Sequence, residues 1–143
     1  MLTTQEVDRL ADIGARLVVS PNADPGVISR AKALGLVSMP GVFTPSEAFL
    51  ALKSGASALK FFPAGSIGPE GIKAVRAVLP TDTVIGVVGG VSDAHFGAYA
   101  AIGVRTFGLG SSLYRPGDTA TIVRERAQSV IAAYDDIFAK VAS

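Results

Sequence analysis

The chain has 143 residues, 13 Lys and Arg against 12 Asp and Glu, a single His (His95) and no Cys. That length suits one domain, numbered here 1–143. A near-neutral, scattered charge argues against a nucleic-acid partner, while the missing Cys and solitary His exclude disulfides and leave no thiolate- or His-based metal cluster. The first ten residues, MLTTQEVDRL, lack the basic and apolar regions of a leader. No apolar run reaches the roughly 18 residues of a membrane span, so the expectation is a soluble, cytoplasmic protein without a membrane partner.

The chain opens on TTQEVDRLADIG, with Thr at a cap position, acidic residues in the first turn and Gly14 at the close, which predicts a helix. RLVVSP (Arg16–Pro21) is a short apolar run bounded by turn residues and reads as a buried strand. DPGVISRAKALG follows, with Asp24 before Pro25 and a finish at Gly35, the Pro-first and Gly-last pattern of a helix. GLVSMPGV (Gly35–Val42) predicts a second strand, and TPSEAFLALKSG a helix in which Thr44 either caps or touches a ligand. ALKFFP (Ala58–Pro63), TVIGVVGGV (Thr83–Val91) and VRTFGLG (Val104–Gly110) predict three more strands. Between and after them come helices over GPEGIKAVRAVLP, SDAHFGAYAAIG and about Thr119 to Val141. One helix and then five βα units imply parallel strands with right-handed crossovers. Five strands fit an open doubly wound sheet, and they fit equally a part of a larger barrel.

Lys60 is the anomaly. Side chains alternate along a strand, so Ala58, Lys60 and Phe62 share one face while Leu59 and Phe61 share the other. Leu and Phe suit a helix-covered face, which turns Lys60 inward. Such a lysine either snorkels past the strand end, pairs with an acid from elsewhere, or stands desolvated. In the last case its pKa falls and the neutral amine becomes a nucleophile toward carbonyls.

The last two strands end in VVGGVSD (Val87–Asp93) and GLGSSLY (Gly108–Tyr114). Paired glycines and serines at consecutive strand ends allow close approach to an anion, and barrels often place a phosphate there. The remaining polar residues read as structural: His95 as an exposed first-turn residue, Asp82 and Asp93 as turn and cap residues. Asp135 and Asp136 are expected in solvent with Arg124 and Arg126 on exposed turns.

With SPN (Ser20–Asn22), PGVFTPSEA (Pro40–Ala48), ALKFFPAG (Ala58–Gly65), VVGGV (Val87–Val91) and GLGSSLY, the sequence resembles the pyruvate-dependent class I aldolases that cleave 2-keto-3-deoxy-6-phospho sugar acids. Val88 before Gly89-Gly90 and the GLGSSLY loop resemble the galactonate rather than the gluconate branch. The resemblance implies a metal-free and cofactor-free reaction through an imine on Lys60, releasing pyruvate and glyceraldehyde 3-phosphate. It puts Gly89, Gly90 and Ser111 at the phosphate, Pro21 and Phe62 on the pocket wall, and Val88 and Gly110 among the substrate-binding residues. It also implies the last five βα units of a (β/α)8 barrel, preceded by one helix, and a homo-oligomer, a trimer in the family. The family's first three strands, with a catalytic Glu, have no counterpart here, so a fragment or an internal start at Met1 is expected. A non-catalytic phosphosugar-binding remnant, a gluconate-type enzyme and a phosphosugar isomerase are the competing expectations.

Overall fold

The computed structural model describes residues 1–141. Three helices open on the same chemistry. In α1 (Thr4–Asp12) the Thr3 hydroxyl accepts from the Glu6 N–H, and the Glu6 carboxylate accepts from the Leu2 and Thr3 N–H groups. α2 (Pro25–Ala33) is capped by Asp24, which accepts from the Val27 N–H at 2.9 Å. α3 (Pro45–Lys53) repeats the reciprocal box with Thr44 and Glu47, so Thr44 is a cap. Each box satisfies donors that the first helical turn leaves open.

Between the helices run β1 (Leu17–Ser20), β2 (Val37–Val42), β3 (Leu59–Phe61), β4 (Ile85–Val88) and β5 (Thr106–Gly108), all parallel and ordered β1-β2-β3-β4-β5. Each new strand joins the same edge, so right-handed crossovers stack every helix on one face. A doubly wound sheet reverses its order partway and covers both faces; this one does neither. Exposure follows that layout. On β1, Val18 and Ser20 are buried while Leu17 and Val19 are 50% and 42% exposed. The main core sits under the helices, where Leu59, Phe61, Ile85 and Val87 meet Ala48, Ile72 and Val75. A smaller cluster joins Val7, Val18, Val27, Ala31 and Leu36 beneath α1 and α2.

Two elements differ from the sequence-based expectation. α4 runs Ala64–Arg76, beginning four residues before Gly68, and kinks at Gly68, whose φ of 69° and ψ of 169° are non-helical. A sequence reading stops at Gly68-Pro69, where Pro restarts the helix, and does not see the turn before it. Arg126 is not on an exposed turn either: it folds back from α6 (Ala120–Val141) to pair with Asp118 at 2.6 Å. α6 is held by aromatic packing, with Tyr134 and Phe138 against each other and against Phe107 of β5. A short 3-10 turn (Asp93–His95) leads into α5 (Phe96–Ala100), which supplies Phe96 to the same cluster.

Candidate active site

Strand register builds the site from β3 outward. Lys60 pairs with Gly41 on β2 and with Gly86 on β4, and Gly86 pairs in turn with Thr106 on β5. Both direct neighbours of the lysine are therefore glycines, and the space their side chains would take is filled by other groups. A Cβ on Gly86 would collide with the Met39 methyl, and one on Gly41 with the Pro21 carbonyl. Lys60 is 6% exposed, whereas Leu59 and Phe61 beside it are fully buried on the helix side. Its side chain lines a cavity of about 390 Å³ walled by Leu17, Val19, Met39, Val88, Thr106 and Gly110, among others.

The Lys60 ammonium makes no ion pair among the described residues, and it is not sealed off without a partner: its Nζ meets the cavity and the water in it. Its nearest recorded polar–aromatic contact is the Phe62 ring, 5.2 Å from Nζ to the centroid. Burial without a compensating charge pushes the lysine pKa down. Of the three alternatives open from sequence, neither snorkelling nor pairing with an acid describes this side chain. What remains is an amine that loses its proton more readily than an ordinary lysine, at the floor of a cavity large enough for a small organic acid.

A second cleft of about 330 Å³ adjoins this cavity, sharing Val88, Gly108 and Gly110 with it. Gly89, Gly90 and Ser111 line the cleft together with Ser92, Ser112, His95 and Arg115. Gly89 and Gly90 have φ of 91° and 73°, a conformation that only glycine adopts cheaply. The two loops are tied down: the Ser112 hydroxyl donates to the Val91 carbonyl, and the Gly65 N–H to the Gly89 carbonyl at 2.8 Å. Gly65 approaches Gly90 so closely that a Cβ there would lie 3.3 Å from the Gly90 Cα.

Val88, Gly89, Gly90, Gly110 and Ser111 thus converge as expected, and Phe62 bridges them to Lys60, since a Cβ on Gly89 would lie 3.1 Å from its ring. Pro21 does not join either cavity; it stands at the end of β1 with its carbonyl against Gly41. Two lining residues were given no place in the site from sequence. His95 is exposed, as expected, yet it faces the cleft; its Nδ1 accepts from the Ser92 N–H, which leaves the proton of the neutral ring on Nε2. Arg115 arrives only because the chain turns back after Gly110, with the Leu113 and Tyr114 N–H groups donating to the Gly110 carbonyl. Spacing four residues after a Gly-Ser pair was its only signal. Among the described residues no group of three or more His, Asp or Glu could hold a metal ion, and no helix is long and apolar enough to cross a membrane.

A buried lysine on a middle strand, beside a glycine- and serine-lined cleft at the carboxyl ends of the last two strands, is the layout of a barrel-type site. Residues 1–132 match the family model for aldolases described as KDPG and KHG aldolase, and the chain belongs to that family. It is 60% identical over 138 residues, 96% of its length, to a probable 2-dehydro-3-deoxy-6-phosphogalactonate aldolase of Rhizobium meliloti (strain 1021). It is 42% identical over 134 residues, 94% of its length, to the 2-dehydro-3-deoxy-6-phosphogalactonate aldolase of Escherichia coli (strain K12). The chain spans 65% of the length of each of these curated relatives. A solved structure described as native KDPGal superposes with a TM-score of 0.93 at 40% identity, covering 96% of this chain and 67% of that one. The fold is accordingly five βα units of a (β/α)8 barrel, with one helix before them.

Proposed function

We propose that this chain carries the Schiff-base and phosphate-binding parts of a class I aldolase acting on 2-dehydro-3-deoxy-6-phosphogalactonate. The observation that carries the reading is Lys60: buried, unpaired, pKa lowered, and opening on a cavity continuous with the glycine–serine cleft. The galactonate choice rests on Val88, on the GLGSSLY loop and on the names of the relatives at 60% and 42% identity.

The neutral Lys60 amine adds to the C2 carbonyl of the substrate and water leaves, so that C=N replaces C=O. When the C3–C4 bond breaks, its electron pair flows to the iminium nitrogen and gives an enamine. The C4 hydroxyl loses its proton and becomes the aldehyde of glyceraldehyde 3-phosphate. Protonation of C3 and hydrolysis of the imine release pyruvate and restore the amine. The phosphate lies over Gly89, Gly90 and Ser111, where backbone N–H groups and a hydroxyl donate to it.

The residues lining the Lys60 cavity include no carboxylate, so the group that takes the C4 proton is not among them. General acid–base catalysis is worth roughly 10²–10⁴-fold in rate. That observation favours a second reading, in which the chain forms the imine and binds the phosphosugar without turning it over. Assembly as a homo-oligomer, a trimer, is part of the first reading.

Borohydride reduction in the presence of pyruvate tests the imine. One reduced pyruvate adduct on the Lys60 peptide is expected, and none in Lys60→Ala. Unchanged labelling of Lys60→Ala refutes the assignment. Cleavage of the galactonate epimer in preference to the gluconate one supports turnover, whereas an adduct without cleavage selects the second reading.

A further inference from the structure

Arg115 is the only Lys or Arg lining the glycine–serine cleft among the described residues. Its surroundings hold it in place without an ion pair, and its charge adds only the last and smallest of the pulls that keep Asp118 ionised. The Nε–H donates to the Ser111 carbonyl at 3.1 Å, which fixes the guanidinium beside a residue that lines the cleft. The nearest acid in sequence is Asp118, the natural partner for such an arginine. Yet Asp118 accepts only the Arg115 backbone N–H, at 2.6 Å. Its carboxylate is taken instead by Arg126, through Nη1 at 2.6 Å and Nη2 at 3.3 Å. Arg126 also reaches the Leu113 carbonyl, so one side chain from α6 pins both ends of the loop. These contacts, the Arg126 pair foremost, hold the Asp118 carboxyl below the usual carboxylate range. Arg115 makes no ion pair among the described residues, and its two terminal nitrogens have no recorded hydrogen-bond partner.

We propose that Arg115 supplies the positive charge of the phosphate subsite, and that the Arg126–Asp118 pair keeps it available by occupying the one carboxylate that would otherwise neutralise it. The glycine and serine N–H groups give direction to a phosphate but no net charge. A guanidinium beside them adds a forked, charge-assisted contact and discriminates a phosphorylated aldehyde from an unphosphorylated one. Arg115 is thus a specificity residue, and Arg126 a positioning residue that need not touch the ligand. This inference deepens the proposed function at its phosphate end and rests on that reading.

The test is titration of the intact chain with glycerol 3-phosphate, an unreactive probe, with glycerol as the uncharged control, followed by amide chemical shifts. Arg115→Gln is expected to weaken glycerol 3-phosphate binding by about ten- to a hundredfold, as for loss of one charge-assisted hydrogen-bonding group. Arg115→Lys keeps part of the affinity and all of the salt dependence. Arg126→Gln frees Asp118 to pair with Arg115 and weakens binding severalfold, and adding Asp118→Asn to that variant restores it. A purely structural role for the pair predicts instead that the double variant binds worse than either single one, which refutes the positioning role. Arg115→Gln binding within twofold of the unsubstituted chain, with an unchanged thermal midpoint, overturns the proposal. Pyruvate trapping on the unsubstituted chain is read separately. No adduct with Arg115-dependent phosphate binding sinks the aldolase reading alone, whereas an adduct with Arg115-independent binding sinks this inference alone.

Discussion

Replacing Lys60 by Met should stabilise the chain while removing its chemistry. The two side chains have similar length and volume, but the lysine is 6% exposed and its ammonium has no partner. A desolvated charge without a partner opposes folding; even buried ion pairs, whose charges do have partners, are replaced by apolar groups of similar volume at no cost or with a gain of about 1–4 kcal/mol. Here the ammonium borders an open cavity, so the lower half of that range applies, about 1–2 kcal/mol. Unfolding entropy of roughly 2.1 cal/mol/K per residue over 143 residues comes to about 0.3 kcal/mol/K. The expected rise in Tm is therefore about 3–7 °C. The pH dependence has a definite sign. The folded-state pKa of Lys60 is lowered, so between that value and the ordinary lysine value of about 10.4 the unfolded chain binds more protons, and the stability of the native chain rises with pH. The advantage of Lys60→Met is thus full below the lowered pKa and shrinks as pH climbs towards the ordinary one. Circular-dichroism melts of both chains at neutral and alkaline pH measure it. A Met variant that melts below the native chain at pH 7, or an advantage that grows with pH, refutes the claim that Lys60 is held at an energetic cost.

Gly86→Ala drives a Cβ against the Met39 methyl and sets it 3.3 Å from the Thr106 Cβ. Because Met39 is flexible the stability loss is at the low end for overpacking, about 1 kcal/mol. The displaced thioether shares the Lys60 cavity, so pyruvate trapping is expected to slow by about tenfold, within the range for small misplacements of a reacting group; a trapping rate equal to that of the native chain counts against Met39 as part of the site floor. Glu47 is held below the usual carboxylate pKa by the Phe43 N–H first and then the Thr44 N–H and hydroxyl. Its contribution is present above the ordinary value of about 4.3 and lost as pH falls through the lowered one. Urea denaturation of Glu47→Gln should therefore show a deficit near neutrality that closes in acid, and a deficit independent of pH contradicts it.

The strand and helix alternation was legible because its signals are local: Thr3, Asp24 and Thr44 cap their helices wherever the rest of the chain goes. The orientation of Lys60 was legible for the same reason, since alternation along a strand sends Leu59 and Phe61 one way and Lys60 the other. Sheet order was not. The same alternation serves a reversing sheet, and only the pairing of β1 through β5 in chain order separates the two. The cleft was half legible. Gly89, Gly90, Gly110 and Ser111 are marked by their residue types, but Arg115 and His95 acquire their place from a reverse turn and a capping bond. Pro21 follows β1, and Gly41 of β2, the strand neighbour of Lys60, stands beside its carbonyl. The pairing of Arg126 with Asp118 joins α6 to the loop after β5, a contact between residues eight positions apart that no helical spacing predicts.

The alternation of β3 has one more consequence. Leu59 and Phe61 answer to the helices and Lys60 to whatever enters the cavity, and the two faces meet at Val87, Phe107 and Leu109, which serve both. Away from those three, selection on the one is largely free of selection on the other. A change of substrate can be written at the mouth, in Val88 or in the loop carrying Ser111 and Arg115, with the folding instructions left as they stand.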